Sequence, residues 1–338
     1  MKVMQIEGAW GTGNIKPATR PDPTAGPGAV VIDIEAVSIN PRDKVMTEGG
    51  YGRRGGSLPL VPLCDGAGRV SQIGEGVTGF ALGDLVIPAY SRTWLSGTFR
   101  SESFSGAHGG PLDGMMQEKI AIPAQAVVKA PKHLSAREAA TLPCAAVTAW
   151  NALIVQGGVQ PGQSVLLQGT GGVSLFALQI AKMLGATVVI TSSSDEKLDQ
   201  ARALGADHTI NYRTEPEWHE AARERLGGQL LDHIIEIGGA ETFAKSLRAI
   251  RPSGTISLIG ILGGALPSLE LARVVTRNVR LQGVTVGSRE MLDNLARALE
   301  ANQIHPVIDE TRFAFDAVGA ALDRLALGKH FGKIVCQF

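Results

Sequence analysis

Ser164-Val-Leu-Leu-Gln168, then Gly169-Thr170-Gly171-Gly172-Val173-Ser174, then Leu175-Phe-Ala-Leu-Gln-Ile-Ala-Lys-Met-Leu184, is the stretch that decides the fold. A short apolar run ends in a glycine-rich turn, and an amphipathic segment follows, so the order is strand, turn, helix, with the helix running from Val173 to Leu184. Gly169 permits the tight turn, and Gly171 lets the backbone approach a pyrophosphate. The first helical turn then offers unpaired N–H groups and the positive end of a dipole to that anion. Ser174 stands where a third glycine is usual, and serine is small enough for close helix–strand contact. An isolated Gly-x-Gly reads equally well as an ordinary turn. In this context Gly169, Thr170, Gly171, Gly172 and Val173 are expected to hold a dinucleotide.

Downstream the same alternation continues. Thr187–Thr191 reads as a strand, Asp195–Leu204 as a helix, and Leu231–Ile237, Thr255–Leu262 and Leu281–Ser288 as further strands. Strands alternating with helices predict a doubly wound parallel sheet of the Rossmann kind over residues 131–287, opened by the helix-start signature Ser135-Ala-Arg-Glu138. An NAD site places an acid at the end of the second strand, ~20 residues after the loop, to hold the ribose hydroxyls. Here that end reads Ser192-Ser193-Ser194-Asp195-Glu196-Lys197. Ser192, Ser193 and Lys197 suit a 2′-phosphate, hence NADP(H). The same residues also read as a helix cap, with Ser194 or Ser193 at the N-cap and Lys197 solvated, and Asp195 is available to an NAD ribose.

Before residue 131 the pattern is β-rich, with strands at Met1–Glu7, Ala29–Val37, Gly66–Ile73 and Asp84–Pro88, and a long Ser- and Gly-rich loop from Tyr90 to Pro111. After residue 287 come a helix (289–301), a strand (312–315), a helix (317–327) and a closing strand, Lys333–Gln337. The 338 residues suit two domains, and 44% hydrophobic residues suffice for two cores. Lysine plus arginine equals aspartate plus glutamate, 32 each, which gives no electrostatic reason to expect nucleic acid or an anionic membrane as partner. No apolar run reaches the ~20 residues that span a bilayer, and the N-terminus lacks a secretory pattern. Three scattered cysteines, Cys64, Cys144 and Cys336, form no disulfide framework, so a cytoplasmic protein is expected.

Several segments together resemble the medium-chain dehydrogenase/reductase superfamily, and more narrowly its zinc-independent quinone oxidoreductase branch. They are Ser38-Ile-Asn-Pro-Arg-Asp43, Pro62-Leu-Cys-Asp-Gly-Ala-Gly-Arg-Val70, Gly83-Asp-Leu-Val86, Ala139–Trp150, Gln168–Val173, Asn211-Tyr-Arg213 and Gly328–Val335. The resemblance implies a GroES-like catalytic domain over residues 1–130 and 288–338 beside the Rossmann domain. It implies that Ser193, Lys197 and Tyr212 meet the 2′-phosphate, and that Thr148, Gly260 and Leu262 lie near the nicotinamide. It also implies a homodimer paired through the 281–288 edge.

Zinc members of the superfamily supply Cys, His and Cys ligands. The matching positions here hold Asn40, Cys64 and Cys144, and asparagine is a poor zinc ligand. Asp65 or Asp43 is available to complete the set, while the two cysteines also read as small buried hydrophobes. No metal is expected. Catalysis without one requires hydrogen-bond donors for a developing oxyanion. Asn40 and Tyr51 are the candidates; Asn40 also reads as a turn residue before Pro41, and Tyr51 as a packing anchor. Arg42 and Asp43 are expected to pair. His108, in the long loop, reads as solvent-exposed or as reaching the substrate. The expected activity is NADPH-dependent reduction of quinones, enones or related activated carbonyl compounds acting as small-molecule substrates. The alternatives are an alcohol or aldehyde dehydrogenase, with a residual zinc site or without metal, and a cofactor-binding protein with little catalysis.

Overall fold

The computed structural model describes residues 1–264 and 270–338 and divides into two units: Met1–Val147 with Val286–Phe338, and Thr148–Thr285. Seven strands come first: β1 (Lys2–Ile6), β2 (Ile15–Thr19), β3 (Ala29–Ile39), β4 (Asp65–Ile73), β5 (Leu85–Pro88), β6 (Lys119–Pro123) and β7 (Val127–Lys129). Six more follow in the second unit: β8 (Ser164–Gln168), β9 (Thr187–Ser192), β10 (His208–Asn211), β11 (Leu231–Glu236), β12 (Ile250–Leu258) and β13 (Arg280–Gly283). The chain then returns to the first unit with β14 (Phe313–Ala314) and β15 (Ile334–Gln337).

In the first unit the long strand β3 organises the sheet, whose order is β14-β15-β3-β4-β5-β7 with β6 also on β3. Its first half pairs β6, its last residues pair β15, and its other edge pairs β4. Val30, Ile32, Ile34, Val37 and Ile39 of β3 join Ile122, Met115, Met116, Leu322 and Ile334 in one apolar core. This is the GroES-like domain expected from the sequence.

The second unit is a parallel sheet in the order β10-β9-β8-β11-β12-β13. Strand order reverses between β8 and β11, the point at which doubly wound sheets bind ligands. The buried runs Val165–Leu167 and Val188–Ile190 are continuous rather than alternating, because helices cover both faces of such a sheet. No helix among the described residues is long and apolar enough to cross a membrane.

Three boundaries differ from the sequence reading. The first unit extends to Val147 rather than 130, because the helix Ala136–Ala139 packs on β3, β4 and β5. The strand expected at 255–262 is β12, which starts at Ile250 and stops at Leu258; beyond it the Leu262 N–H turns to the carbonyl of Ile237 at 3.1 Å. The strand expected at 281–288 is β13, which ends at Gly283, and Val286 takes a left-handed φ of 41° that ordinary pairing does not accept. Strands β2, β6, β7 and β10 are short and went unread.

Candidate active site

Register assembles the site in the first unit. The β3–β4 pairing sets Asp65 opposite Ser38, and the β3–β15 pairing sets Ile334 opposite Ile39, so Lys333 arrives beside Asn40. The Lys333 ammonium donates to the carbonyl of Ile39 at 2.9 Å and to Asn40 Oδ1 at 2.5 Å, and lies 3.7 Å from Asp65 Oδ2. With its oxygen held there, Asn40 directs its Nδ2 to Asp65 Oδ2 at 2.9 Å, Asp43 Oδ2 at 3.3 Å and Cys64 Sγ at 3.5 Å. Asn40 also caps the helix Pro41–Thr47, where the Asp43 carboxylate accepts its backbone N–H at 2.8 Å and that of Cys64 at 3.1 Å. Ser38 Oγ donates to Asp65 Oδ2 at 3.2 Å. Three of the segments that carried the family resemblance, Ser38–Asp43, Pro62–Val70 and Gly328–Val335, thus meet in one buried cluster. Lys333 is the member that sequence reading missed; the available signal was a lysine opening an otherwise apolar closing strand.

Cys144 joins from a π-helical turn, Leu142–Ala146, a distortion that recurs at functional sites. Cys64 Sγ, a carboxylate oxygen of Asp65 and Cys144 Sγ all lie within 4.8 Å of one another. The two cysteines are therefore neighbours, not separate packing residues, and Asp65 rather than Asp43 completes the trio. Zinc would need deprotonated sulfur and free lone pairs at these atoms. Burial pushes the Cys64 thiol well above its ordinary range, and burial also raises the Asp65 carboxyl, so binding a metal here would release protons. Asn40 turns an N–H face, not a lone pair, toward the trio, and Lys333 stands beside the carboxylate. As arranged, the residues form a hydrogen-bonded cluster in which the Asn40 N–H face points at the sulfur and carboxylate.

Tyr51 stands apart from the cluster. Its ring lies 5.9 Å from that of Phe104, and the Arg42 guanidinium sits 5.8 Å over it and 5.1 Å over Tyr90. No described residue hydrogen-bonds the Tyr51 hydroxyl, whereas both ends of the Asn40 amide are engaged. The expected Arg42–Asp43 pair is present at 3.6 Å, and Arg42 also donates to the carbonyls of His108 and Gly110. His108 is neither exposed nor open to substrate: it is fully buried, and burial, aided by Arg92 and Arg42, pushes its pKa down to about 3.

In the second unit Gly169 turns with φ +71° at the end of β8, and Gly171 caps the helix Gly172–Met183 without any side-chain bond to its first turn. The N–H groups of that turn are left for an anion, so this loop fits a dinucleotide. Ser174 is buried and donates to the carbonyl of Gln168 at 2.6 Å, which fills the role of the missing glycine. Parallel pairing sets Asn211 of β10 beside Ser192 of β9, so Tyr212 emerges next to the serines with its N–H on the Ser192 carbonyl at 3.0 Å. Ser192 is buried, Ser193 and Lys197 are partly exposed and Tyr212 is exposed. Ser194 is the N-cap of the helix Asp195–Ala203 and accepts the Lys197 N–H. Asp195 is held by Asn211 Nδ2 at 2.8 Å. Thr148 is buried, and Gly260 and Leu262 lie on the loop that follows β12.

Residues 26–132 match the alcohol dehydrogenase GroES-like domain, and residues 172–301 the zinc-binding dehydrogenase domain. A zinc-type alcohol dehydrogenase-like protein of Schizosaccharomyces pombe is 43% identical over 92% of this chain and 91% of its own. A 2-methylene-furan-3-one reductase of Solanum lycopersicum is 32% identical over 90% of this chain and 71% of its own. Among solved structures, an NAD-dependent alcohol dehydrogenase superposes with a TM-score of 0.91 at 32% identity, covering all of both chains. A mycobacterial protein complexed with NADPH superposes with a TM-score of 0.82 at 26% identity, again over all of both chains. The chain belongs to the medium-chain dehydrogenase/reductase superfamily, whose members bind a nicotinamide cofactor, and it is an oxidoreductase acting on a small molecule.

Proposed function

We propose that the protein is an NADPH-dependent reductase of enones, quinones and related activated carbonyl compounds that works without zinc. The observation that carries this reading is the Asn40 amide. At the position of a metal ligand it presents N–H groups, and it already partners the sulfur and carboxylate that a metal would need. The tomato relative, a 2-methylene-furan-3-one reductase, is the kind of enzyme this chemistry suits. When bound, NADPH supplies the hydride. The chain's part is to bind the dinucleotide at Gly169–Val173, hold its 2′-phosphate with Ser192, Ser193, Lys197 and Tyr212, and set its nicotinamide among Thr148, Gly260 and Leu262. Asp195, engaged by Asn211 on a helix turn, is poorly disposed toward an NAD ribose. Addition at the β-carbon of an enone leaves negative charge on oxygen, which hydrogen-bond donors stabilise without a metal. Tyr51, whose hydroxyl no described residue engages, is the proton donor in this reading; Asn40 and Lys333 hold the buried cluster together as positioning residues. Unactivated alcohols demand the stronger electrophile that zinc provides.

The test is kcat/KM for a short enone, a quinone and a primary alcohol, with each cofactor titrated and metal content measured. Turnover of enone or quinone above alcohol, tighter NADPH than NADH, and a Lys197→Ala loss confined to NADPH are expected. Efficient alcohol oxidation with one zinc per chain would overturn the reading. That outcome is the second reading, and the Cys64–Asp65–Cys144 trio is its supporting observation. The chain is also read as a homodimer paired through β13, the edge of its sheet, which light scattering tests.

A further inference from the structure

The carboxylate of Glu236 is buried at the end of β11 and has no ion-pair partner among the described residues. It is satisfied entirely by neutral donors. Its Oε1 accepts the backbone N–H groups of Gly238 at 2.9 Å and Gly239 at 3.0 Å and the Thr242 hydroxyl at 2.5 Å. Its Oε2 accepts Gln168 Nε2 at 2.7 Å and the Ser246 hydroxyl at 2.5 Å. Gln168 is the last residue of β8, immediately before the glycine loop, and its own Oε1 accepts the N–H groups of Ile237 and Gly238 at 3.1 and 3.2 Å. The Gln168–Glu236 pair therefore bridges β8 and β11, the two strands between which the sheet order reverses.

The same knot reaches a third loop. The N–H of Ile259 donates to the Glu236 carbonyl at 3.0 Å, that of Leu262 to Ile237 at 3.1 Å, and that of Gly263 to Gly238 at 2.7 Å. Loops 237–240 and 259–264 approach so closely that a Cβ on Gly260 would stand 2.8 Å from the Ile237 carbonyl oxygen, and one on Gly263 2.8 Å from that of Gly238. A lone buried carboxylate with five directed donors fixes position more sharply than an ion pair, because each N–H and O–H must point at it.

We propose that Glu236 is a positioning residue for the nicotinamide half of the cofactor. Through Gln168 and the loop backbones it sets the spacing of the loops after β8, β11 and β12. It leaves the 2′-phosphate half untouched, since none of its hydrogen bonds among the described residues reaches residues 192–197 or Tyr212. The proposal rests on the dinucleotide reading of the preceding section.

The test uses the full-length protein with Glu236→Gln and Thr242→Val. The first keeps shape but sets an amide against donors; the second removes one donor and keeps the carboxylate. Binding of NADPH and of adenosine 2′,5′-bisphosphate is measured by titration, with the fluorescence emission of bound NADPH recorded. In Glu236→Gln, NADPH affinity is expected to fall about tenfold, the size of one charged hydrogen bond. Its emission should shift toward that of free NADPH, while the bisphosphate affinity stays within about twofold. Thr242→Val should show the same split at smaller size. Equal loss for both ligands would mark a general disturbance of the fold and overturn the proposal, as would unchanged NADPH binding in both variants. Wild-type protein that binds neither ligand would instead overturn the cofactor reading itself, and the proposal with it.

Discussion

Asp65 in the first unit and Glu236 in the second are both buried carboxylates at strand ends, yet their surroundings differ in kind. Asp65 has an ammonium 3.7 Å away and shares its cluster with Arg42 and Asp43, so cations stand among the acids. Glu236 has five neutral donors, two of them backbone N–H groups of a glycine turn. A long lysine follows a displaced partner by changing its rotamer; an N–H fixed in a turn does not. The first arrangement tolerates small movements of the backbone but not loss of the charge. The second tolerates loss of a single donor but fixes where the backbone must be.

The largest expected effect comes from removing the cation. Lys333→Met leaves Asp65 buried without its counter-charge, and breaking a buried pair in this way costs about 3–5 kcal/mol. Urea denaturation measures it, and Lys333→Met with Asp65→Leu should recover part of the loss. A loss below about 1 kcal/mol, the worth of an ordinary hydrogen bond, would show that Asn40 and Ser38 carry Asp65 alone and would erase the contrast.

Acid should act next most strongly, on the buried neutral histidines of both units, His108, whose pKa falls to about 3, and His233. His233 is buried with Nε2 on Ser257 Oγ at 2.9 Å, and burial, aided by Arg280, pushes its pKa from 6.5 down to about 4. Below pH 6.5 the unfolded chain takes up a proton that the folded chain refuses, so this contribution is complete above pH 6.5 and is lost as pH falls toward 4. Its full size is on the order of 3 kcal/mol. His233→Gln should remove part of the slope in that window and leave the part carried by His108; a variant as acid-sensitive as wild type would assign the loss to His108 and other groups.

The smallest effect tests a neutral bond of the cofactor unit. Ser174→Ala removes the 2.6 Å bond to the Gln168 carbonyl at little change in volume, for a loss of about 1 kcal/mol. A loss of several kcal/mol would mean that this hydroxyl anchors the whole glycine loop, and the contrast between units would sharpen toward the cofactor side.

Much of the second unit was legible in the chain. Ser164–Gln168 is a strand over the residues expected, and Asp195 starts a helix capped by Ser194, because an apolar period and a capping serine act within a few residues of themselves. The strand ends at Leu258 and Gly283 were misplaced because they depend on where a neighbouring loop stops accepting hydrogen bonds. His108 was misread because loop composition says nothing of what folds over a loop.

The sequence by itself determined the two-domain class, the glycine loop with its serine in the third place, and the hydroxyl-rich end of the second strand. All of these follow from residues adjacent in the chain. Tertiary structure alone decided that Lys333 meets Asn40, that Cys144 stands beside Cys64 and Asp65, and that Gln168 closes on Glu236. Those partners lie tens to hundreds of residues apart. Strand register and chain return bring them together, and neither is written in any local run of residues.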